Sequence, residues 1–325
     1  MDFVIINESA SRRLPFYLAE EEYLARRYPD RDFFFMWQVE PTVIVGRHQL
    51  IDKEVNVDFC KANNVDIIRR KSGGGAVVAD RNNIMFSYIT SSDDVTTTFS
   101  SYTSRIAHSL RLLGLDASDN SRNDILIGDK KVSGNSFYHI PGRSIVHGTM
   151  LYDFDFNLMS NTLSPSKEKL ASHGVASTRS RVTCIKDCLP NLSIEDFKQH
   201  IIDTLIDGDT ITLTDNDIAD IEKLEQEYYR NEWIIGKNPK GELNTSKRID
   251  GVGEIALSMT LNHGKISNIT LSGDFLETAD AEDYFNQHLK GITYHRENVE
   301  SALSENPPSK VIPGLTTTEF INLIF

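Results

Sequence analysis

Apolar and polar positions along this chain follow two rhythms. Residues 3–6 form an apolar, β-branched run that reads as a strand. Pro15 then opens a helix, with Phe16, Ala19 and Tyr23 three and four apart on one face and Pro29 closing it. Residues 33–37 and 42–45 read as a strand pair around Glu40-Pro41, the second running into Gly46-Arg47-His48. A short helix is expected over residues 55–62, stopped by Asn63-Asn64. Residues 84–89 form the next strand after the Asn82-Asn83 turn.

Residues 102–113 place Ile106, Leu110 and Leu113 on one helical face, with Gly114 as the C-terminal stop. Residues 124–127, 131–138 and 144–151 are strand signals joined by Gly128-Asp129 and Pro141-Gly142, which predicts an antiparallel meander. Ser193 with Asp196 resembles a capping box ahead of Phe197, Ile201 and Leu205. Ile218, Ile221, Leu224 and Tyr228 outline another helix. After Trp233 the texture changes: residues 236–248 are polar and suit a linker. Residues 254–261 and 265–271 then alternate with period two about Asn262-His263-Gly264, a hairpin signal, and helical stretches follow at 281–289 and 299–303. The pattern predicts helices and strands interleaved over residues 1–244 and a small α+β domain over 245–325.

Composition narrows the function. At 325 residues the chain can bury a large core, and its net charge of -13 argues against a nonspecific nucleic-acid binder. Cys60, Cys184 and Cys188 are too few and too scattered for a disulfide framework, so a reducing compartment, the cytoplasm, is expected. The N-terminus lacks a signal-peptide pattern, and no run is long and apolar enough to span a membrane.

The most distinctive stretch is Ile67-Ile68-Arg69-Arg70-Lys71-Ser72-Gly73-Gly74-Gly75-Ala76-Val77-Val78. Three glycines open unusual backbone conformations and let a ligand lie against the main chain, while rim arginines supply charge for a phosphate or carboxylate. A tight turn with incidental arginines is the plainer reading. Neither a Walker A pattern, a complete dinucleotide fingerprint nor His-Glu-x-x-His is present. Lys131 followed by Ser133-Gly134 can reach into a pocket, or it belongs to a solvated Asp-Lys-Lys turn. Asn123 and Asp124 suit a turn cap equally well, His147-Gly148-Thr149 a buried satisfied histidine, and Arg179-Ser180-Arg181 a surface loop.

Taken in order, the glycine stretch, Arg122-Asn123-Asp124, Lys131-Val132-Ser133-Gly134, His147-Gly148-Thr149, Lys169-Leu170-Ala171 and Arg179-Ser180-Arg181-Val182-Thr183 resemble the lipoate–protein ligase family. Trp37 with residues 42–47 is similar to the family's segment before the glycine loop, and residues 253–266 to its C-terminal accessory domain. One departure stands out: Val78-Ala79-Asp80 replaces the aromatic-His-Asp of many members, so no histidine role carries over there.

The resemblance implies an α+β fold: a biotin/lipoyl-ligase-like catalytic domain with mixed β-sheets and flanking helices, plus a small C-terminal α+β accessory domain. It implies a two-step reaction: lipoate and ATP give lipoyl-AMP, and a carrier-domain lysine then takes the lipoyl group. ATP and Mg²⁺ are the implied cofactors, with lipoate as substrate. The implied protein partners are apo-E2 subunits of 2-oxoacid dehydrogenases and the glycine cleavage H protein; a monomer is expected, with no nucleic acid or membrane partner. Lys131 is the implied catalytic cation. The implied adenylate and lipoyl contacts are Arg70, Ser72, Gly73, Gly74, Gly75, Ala76, Val77, Val78, Asn123, Asp124, Ser133, Gly134, His147, Gly148, Thr149 and Arg179, with Asp124 also the Mg²⁺ contact. Two rivals share the resemblance: a cysteine-dependent octanoyl or lipoyl transferase, and a lipoate- or carrier-binding module without chemistry.

Overall fold

In the computed structural model, residues 1–7, 11–119, 123–163, 181–236 and 241–325 are described. The first part runs β1 (Asp2–Ile5), α1 (Leu14–Arg27), β2 (Phe33–Trp37), β3 (Thr42–Val45), α2 (Ile51–Glu54), α3 (Val57–Ala62), β4 (Asp66–Arg69), β5 (Val77–Ala79), β6 (Ile84–Thr90) and α4 (Val95–Leu112). It continues with β7 (Ala117–Ser118), β8 (Asp124–Ile127), β9 (Lys130–Ile140), β10 (Arg143–Met150), α5 (Phe156–Thr162), α6 (Ile185–Cys188), α7 (Ile194–Leu205), β11 (Thr210–Thr212), α8 (Asp215–Glu225) and α9 (Asn231–Ile235). An eight-stranded mixed sheet has the order β11-β1-β2-β6-β10-β9-β8-β7, and β4-β3-β5 form a separate small sheet.

Period-two alternation sorts the core onto two faces of the large sheet. Phe33, Phe35 and Trp37 of β2 pack toward α1, while Phe34 packs with Phe86, Ile106 and Leu110 on the α4 side. Tyr17 of α1 stacks on Trp37 with centroids 5.0 Å apart, a contact worth about 1 kcal/mol beyond its buried area. The meander appears as expected, with β9 between β8 and β10 in antiparallel register.

Several expectations need correction. Both strands flanking Glu40-Pro41 exist, but they join different sheets: β2 pairs with β1 and β6, and β3 with β4 and β5. Thr42 Oγ1 donates to Glu40 O across the turn, which redirects the chain rather than folding it back on itself. The expected helix over 55–62 is present as α3, which starts at Val57 because the Asn56 side chain accepts from Phe59 N, and the short helix α2 ahead of it was not expected. Helix α4 begins seven residues before its expected start, since Asp94 caps Thr97 N and Val95 and Phe99 add buried contacts.

The polar stretch after Trp233 also contains more structure than a linker. Residues Leu243–Ile249 form β12, paired with β13 (Gly253–Asn262) from Leu243↔Met259 onward. A boundary after residue 244 would therefore cut a strand whose polar residues belong to a sheet edge. Next come β14 (Lys265–Gly273), α10 (Ala281–Leu289), α11 (Arg296–Leu303) and α12 (Thr317–Ile324). His263 and Gly264 take φ of 50° and 73°, which closes the predicted hairpin between β13 and β14. The free edge of β14 is covered by side chains: Asn286 pairs with both N and O of Ile269, and Glu282 accepts from Leu271 N.

Helix α1 carries three buried acids, Glu20, Glu21 and Glu22. Glu20 is 1 % exposed and its Oε2 has no hydrogen-bond partner. Burial, then the neighbouring Glu21 charge, holds its carboxyl well above the ordinary value of 4.5, so the folded chain keeps this proton while the unfolded chain releases it. Its contribution to stability is therefore complete below pH 4.5 and declines as pH rises toward the folded-state value. Glu20→Gln, neutral at every pH, should raise the free energy of urea unfolding at pH 8.5 by about 1–3 kcal/mol and by less at pH 5. Equal shifts at the two pH values would contradict a protonated Glu20.

Candidate active site

Residues 69–71 carry three consecutive cations between β4 and the glycines, and each points to a different task. Arg69 is 2 % exposed and donates to six carbonyls, those of Gly46, Arg47, Gln49, Trp233, Ile234 and Ile235. Arg70 is 5 % exposed; Nε donates to Ser72 Oγ, Nη1 to Ile44 O, and Nη2 to Gly73 O at 2.6 Å and Gly75 O at 2.9 Å. Lys71 Nζ turns outward to Glu22 at 2.6 Å and Glu227 at 3.0 Å. The two arginines are thus not exposed rim charges. Burial pulls both guanidiniums down to about 10, which leaves them cationic at neutral pH beneath the loop.

Arg70 also ends a buried chain of hydrogen bonds whose donor directions fix one another. Trp37 Nε1 donates to Ser87 Oγ, and Ser87 donates to Glu21. His147 Nδ1 lies 3.0 Å from both Glu21 oxygens, and its Nε2 lies 2.6 Å from Ser72 Oγ. With Nδ1–H facing Glu21, a neutral imidazole accepts at Nε2 from Ser72, whose oxygen in turn accepts from Arg70. One buried acid on α1 therefore sets the tautomer of His147 and the rotamer of Ser72. Sequence reasoning missed Glu21. Its signal was a run of three glutamates inside an amphipathic helix, where the apolar face leaves no exposed side for all three.

Lys131 reaches this region because β9 contains a bulge. Ser133 pairs with Ile125 but Lys131 pairs with Leu126, so Val132 is an extra residue on its strand. Below the bulge, odd-numbered Ser133, Asn135 and Phe137 face α4, as the Phe99–Phe137 contact shows. The extra residue shifts the parity and turns Lys131 onto the opposite face, with Gly134 and Asp124. Lys131 Nζ pairs with Asp124 Oδ1 at 2.7 Å, and a Cβ on Gly134 would lie 2.6 Å from that nitrogen. Gly134 is small because the lysine crosses it. The backbone is held too: Thr183 N donates to Lys131 O and Leu151 N to Val132 O.

This parity divides the expected site residues. Lys131, Asp124, Gly134, Ser136 and His147 share one face, and the loop stands on it through Ser136 Oγ to Gly73 O and His147 to Ser72. Thr149 pairs with Gly134 on that face. Asn123, Ser133, Asn135 and Gly148 form a second group: Asn123 and Asn135 exchange side-chain amide and backbone bonds, and Ser133 donates to Asn135 Oδ1. A Cβ on Gly148 would lie 1.9 Å from Asn135 Oδ1 and 3.0 Å from the Tyr102 hydroxyl, which belongs to α4. These residues brace the sheet from behind. Gly75, Ala76 and Val77 are half-buried, and Val77 packs toward Trp37 and Ile44; Val78 instead enters a cluster with Val43, Val45 and Cys60. Arg122, residues 169–171 and Arg179 lie outside the described residues.

The C-terminal domain closes one side of the loop. Gly74, at φ +85°, donates from its N to Phe275 O at 2.9 Å, and a Cβ on Gly73 would lie 2.4 Å from that oxygen. Gly273 N donates to His48 O, the His48 ring stacks on Phe275, and His48 Nε2 stands 2.8 Å from Glu277. Arg47 adds ion pairs to Asp280 and Glu277.

Residues 14–206 match the family model of the lipoyl protein ligase A/B catalytic domain, and residues 238–324 that of the bacterial lipoate protein ligase C-terminus. The chain belongs to the lipoate–protein ligase family. It is 36 % identical over 296 residues to lipoate–protein ligase 1 of Staphylococcus aureus, covering 89 % of each chain. Lipoate-protein ligase LplJ of Bacillus subtilis is 32 % identical over 318 residues, 95 % of this chain and 96 % of the relative. Among solved structures, a lipoate-protein ligase A bound with ATP superposes with TM-score 0.62 at 29 % identity, over 72 % of this chain and 98 % of that one. The lipoate complex of P. falciparum LipL1 reproduces the fold over 99 % of this chain and 97 % of its own, with TM-score 0.80 at 21 % identity.

As a lipoate–protein ligase the chain is an adenylate-forming enzyme, and the thiols agree with that chemistry. A transferase nucleophile needs an activated thiolate. Cys60 is fully buried and its thiol is raised by burial, while burial pushes Cys184 up to about 11.

Proposed function

We propose that Lys131 brings the lipoate carboxylate and the α-phosphate of ATP together, and that the glycine loop holds the resulting lipoyl-adenylate. The observation that carries this is the bulge at Val132, which sets the Lys131 ammonium over Gly134 on the face where the loop stands. Carboxylate and phosphate repel, so a compact cation between them lowers the barrier to bond formation, and a preorganised one does so without reorganisation. A carboxylate oxygen forms the bond to the α-phosphorus, and pyrophosphate departs with its electron pair. In the second step a carrier lysine amine attacks the lipoyl carbonyl and AMP leaves. Asp124 holds the ammonium in place throughout.

Arg70 acts in this reading from behind the loop. Its nitrogens face the carbonyls of Gly73 and Gly75, and neither it nor Arg69 takes its shift from a carboxylate. Two buried cations with no acid partner among the described residues create a positive potential that favours an anion on the loop's outer side. Mg²⁺ fits this site as a companion of the nucleotide: among the described residues no group of three or more acidic, histidine or cysteine side chains could hold a metal, and Mg²⁺ commonly takes one carboxylate with phosphates and water. Asp124 is the carboxylate within reach of such an ion, whose contribution is to offset phosphate charge.

The carrier partner is a lipoyl domain of the E2 or H-protein kind. A structure of a bipartite lipoate protein ligase and its E2 lipoyl domain from Thermoplasma acidophilum, 30 % identical over 74 % of this chain, supports that choice. The three unpaired thiols accord with cytoplasmic residence. ATP–pyrophosphate exchange with lipoate, octanoate and biotin tests the reading: exchange should require lipoate or octanoate and be absent with biotin. No exchange with either lipoate or octanoate would overturn it.

A further inference from the structure

Arg69 stands between the two places where the C-terminal domain is attached to the rest of the chain. The covalent attachment leaves through α9, whose last carbonyls lack helical partners. Arg69 Nε reaches the carbonyls of Trp233 and Ile234, Nη2 reaches that of Ile235, and Trp233 Nε1 donates back to Arg69 O at 2.9 Å. Gly236 ends the helix at φ +72°, and a Cβ there would lie 3.0 Å from the guanidinium carbon. The non-covalent attachment includes, beside the Gly74 N to Phe275 O bond of the loop itself, the turn after β3. Arg69 Nη1 takes the carbonyls of Gly46, Arg47 and Gln49, and from that turn Arg47 and His48 reach Glu277, Asp280 and Phe275. The next residue, Arg70, carries the glycine loop.

We propose that Arg69 is a positioning residue that couples the glycine loop to both attachments of the C-terminal domain. A planar fork with six acceptors cannot shift without changing several bonds together, so a ligand that settles the loop also settles residues 231–236 and the turn at 46–49. All six carbonyls precede the C-terminal domain, and they flank its two attachments, the residues that lead into it and the turn that touches it. The inference rests on the glycine loop being the lipoate site.

Hydrogen exchange of the full chain, with and without lipoate, tests the coupling. Residues 231–236 are the sentinel, because Arg69 and its carbonyl connect them to the loop segment. In the wild type, lipoate should slow exchange several-fold in residues 72–78 and also in 231–236. In Arg69→Lys, which keeps the charge and loses the fork, the effect should persist in 72–78 and fall by more than half in 231–236. The KM for lipoate in pyrophosphate exchange should rise about tenfold with kcat changed less than threefold, a split that global destabilisation does not produce. Trp233→Phe removes one hydrogen bond to Arg69 and should act in the same direction; it decides the matter if Arg69→Lys does not fold. Slowing confined to 72–78 in the wild type, or undiminished in 231–236 of whichever variant folds, overturns the coupling alone. No slowing in 72–78 in a wild type active in exchange overturns the glycine-loop reading and this inference with it.

Discussion

Lys131→Ala should lose lipoate-dependent pyrophosphate exchange by about three orders of magnitude or more while melting close to the wild type. The size follows from removing a preorganised charge at a site of developing negative charge, where a single donor is worth roughly 10²–10³ in rate and a full charge more. The small stability effect follows from exposure. The Lys131 and Asp124 side chains are 34 % and 28 % exposed, so their ion pair contributes within about 1 kcal/mol. Lys131→Arg should not restore activity, because the space over Gly134 suits one ammonium and a guanidinium is broader. Exchange within tenfold of wild type in folded Lys131→Ala would remove this residue from the mechanism.

Gly46→Ala should weaken lipoate binding more than tenfold, although Gly46 is outside the glycine loop. A Cβ there would lie 2.0 Å from Gly74 O and 3.3 Å from Arg70 Nη2. Gly46 cannot retreat easily, since its N donates to Gln49 Oε1 and its O accepts from Arg69. The loop must give way, and with it the Arg70 bonds that shape the path of the ligand. Overpacking of this kind costs about 1–3 kcal/mol of stability. Calorimetry of lipoate binding, beside urea unfolding of the same variant, separates the two effects. Unchanged affinity would mean that the loop tolerates displacement and does not cradle the ligand through its backbone.

Much of the architecture was legible from local pattern. The meander, the Asn262-His263-Gly264 hairpin and the Ser193 cap each have signals confined to a few residues, and all three are present. What depended on partners far away in sequence was not legible. Strands β2 and β3 were placed correctly, but their division between two sheets is decided by β1, β4, β5 and β6. β12 looked like a linker because an edge strand with a wet face needs few apolar residues.

In the candidate site, charge and side-chain size were readable and geometry was not. Arg69-Arg70-Lys71 looks like an exposed basic rim, because a sequence shows charge but not burial. Carbonyls satisfy the first two, and backbone carbonyls leave no mark in a sequence. The grouping of Asn123, Ser133 and Gly148 behind the sheet depends on strand parity, which changes at Val132. Glu21 went unread because its partners, Ser87 and His147, lie 66 and 126 residues away.

The bulge at Val132 has a further consequence for how this family member tolerates change in length. The side of the sheet on which Lys131 emerges is decided by counting residues. Adding one residue to β8 opposite Val132 would bring Val132 into regular pairing and drive the ammonium toward the apolar layer beside α4, although every residue of the candidate site would still be encoded. At this point of the sheet an added codon is therefore more damaging than most altered ones, and the unmatched residue at Val132 matters to the candidate site as much as the lysine it turns.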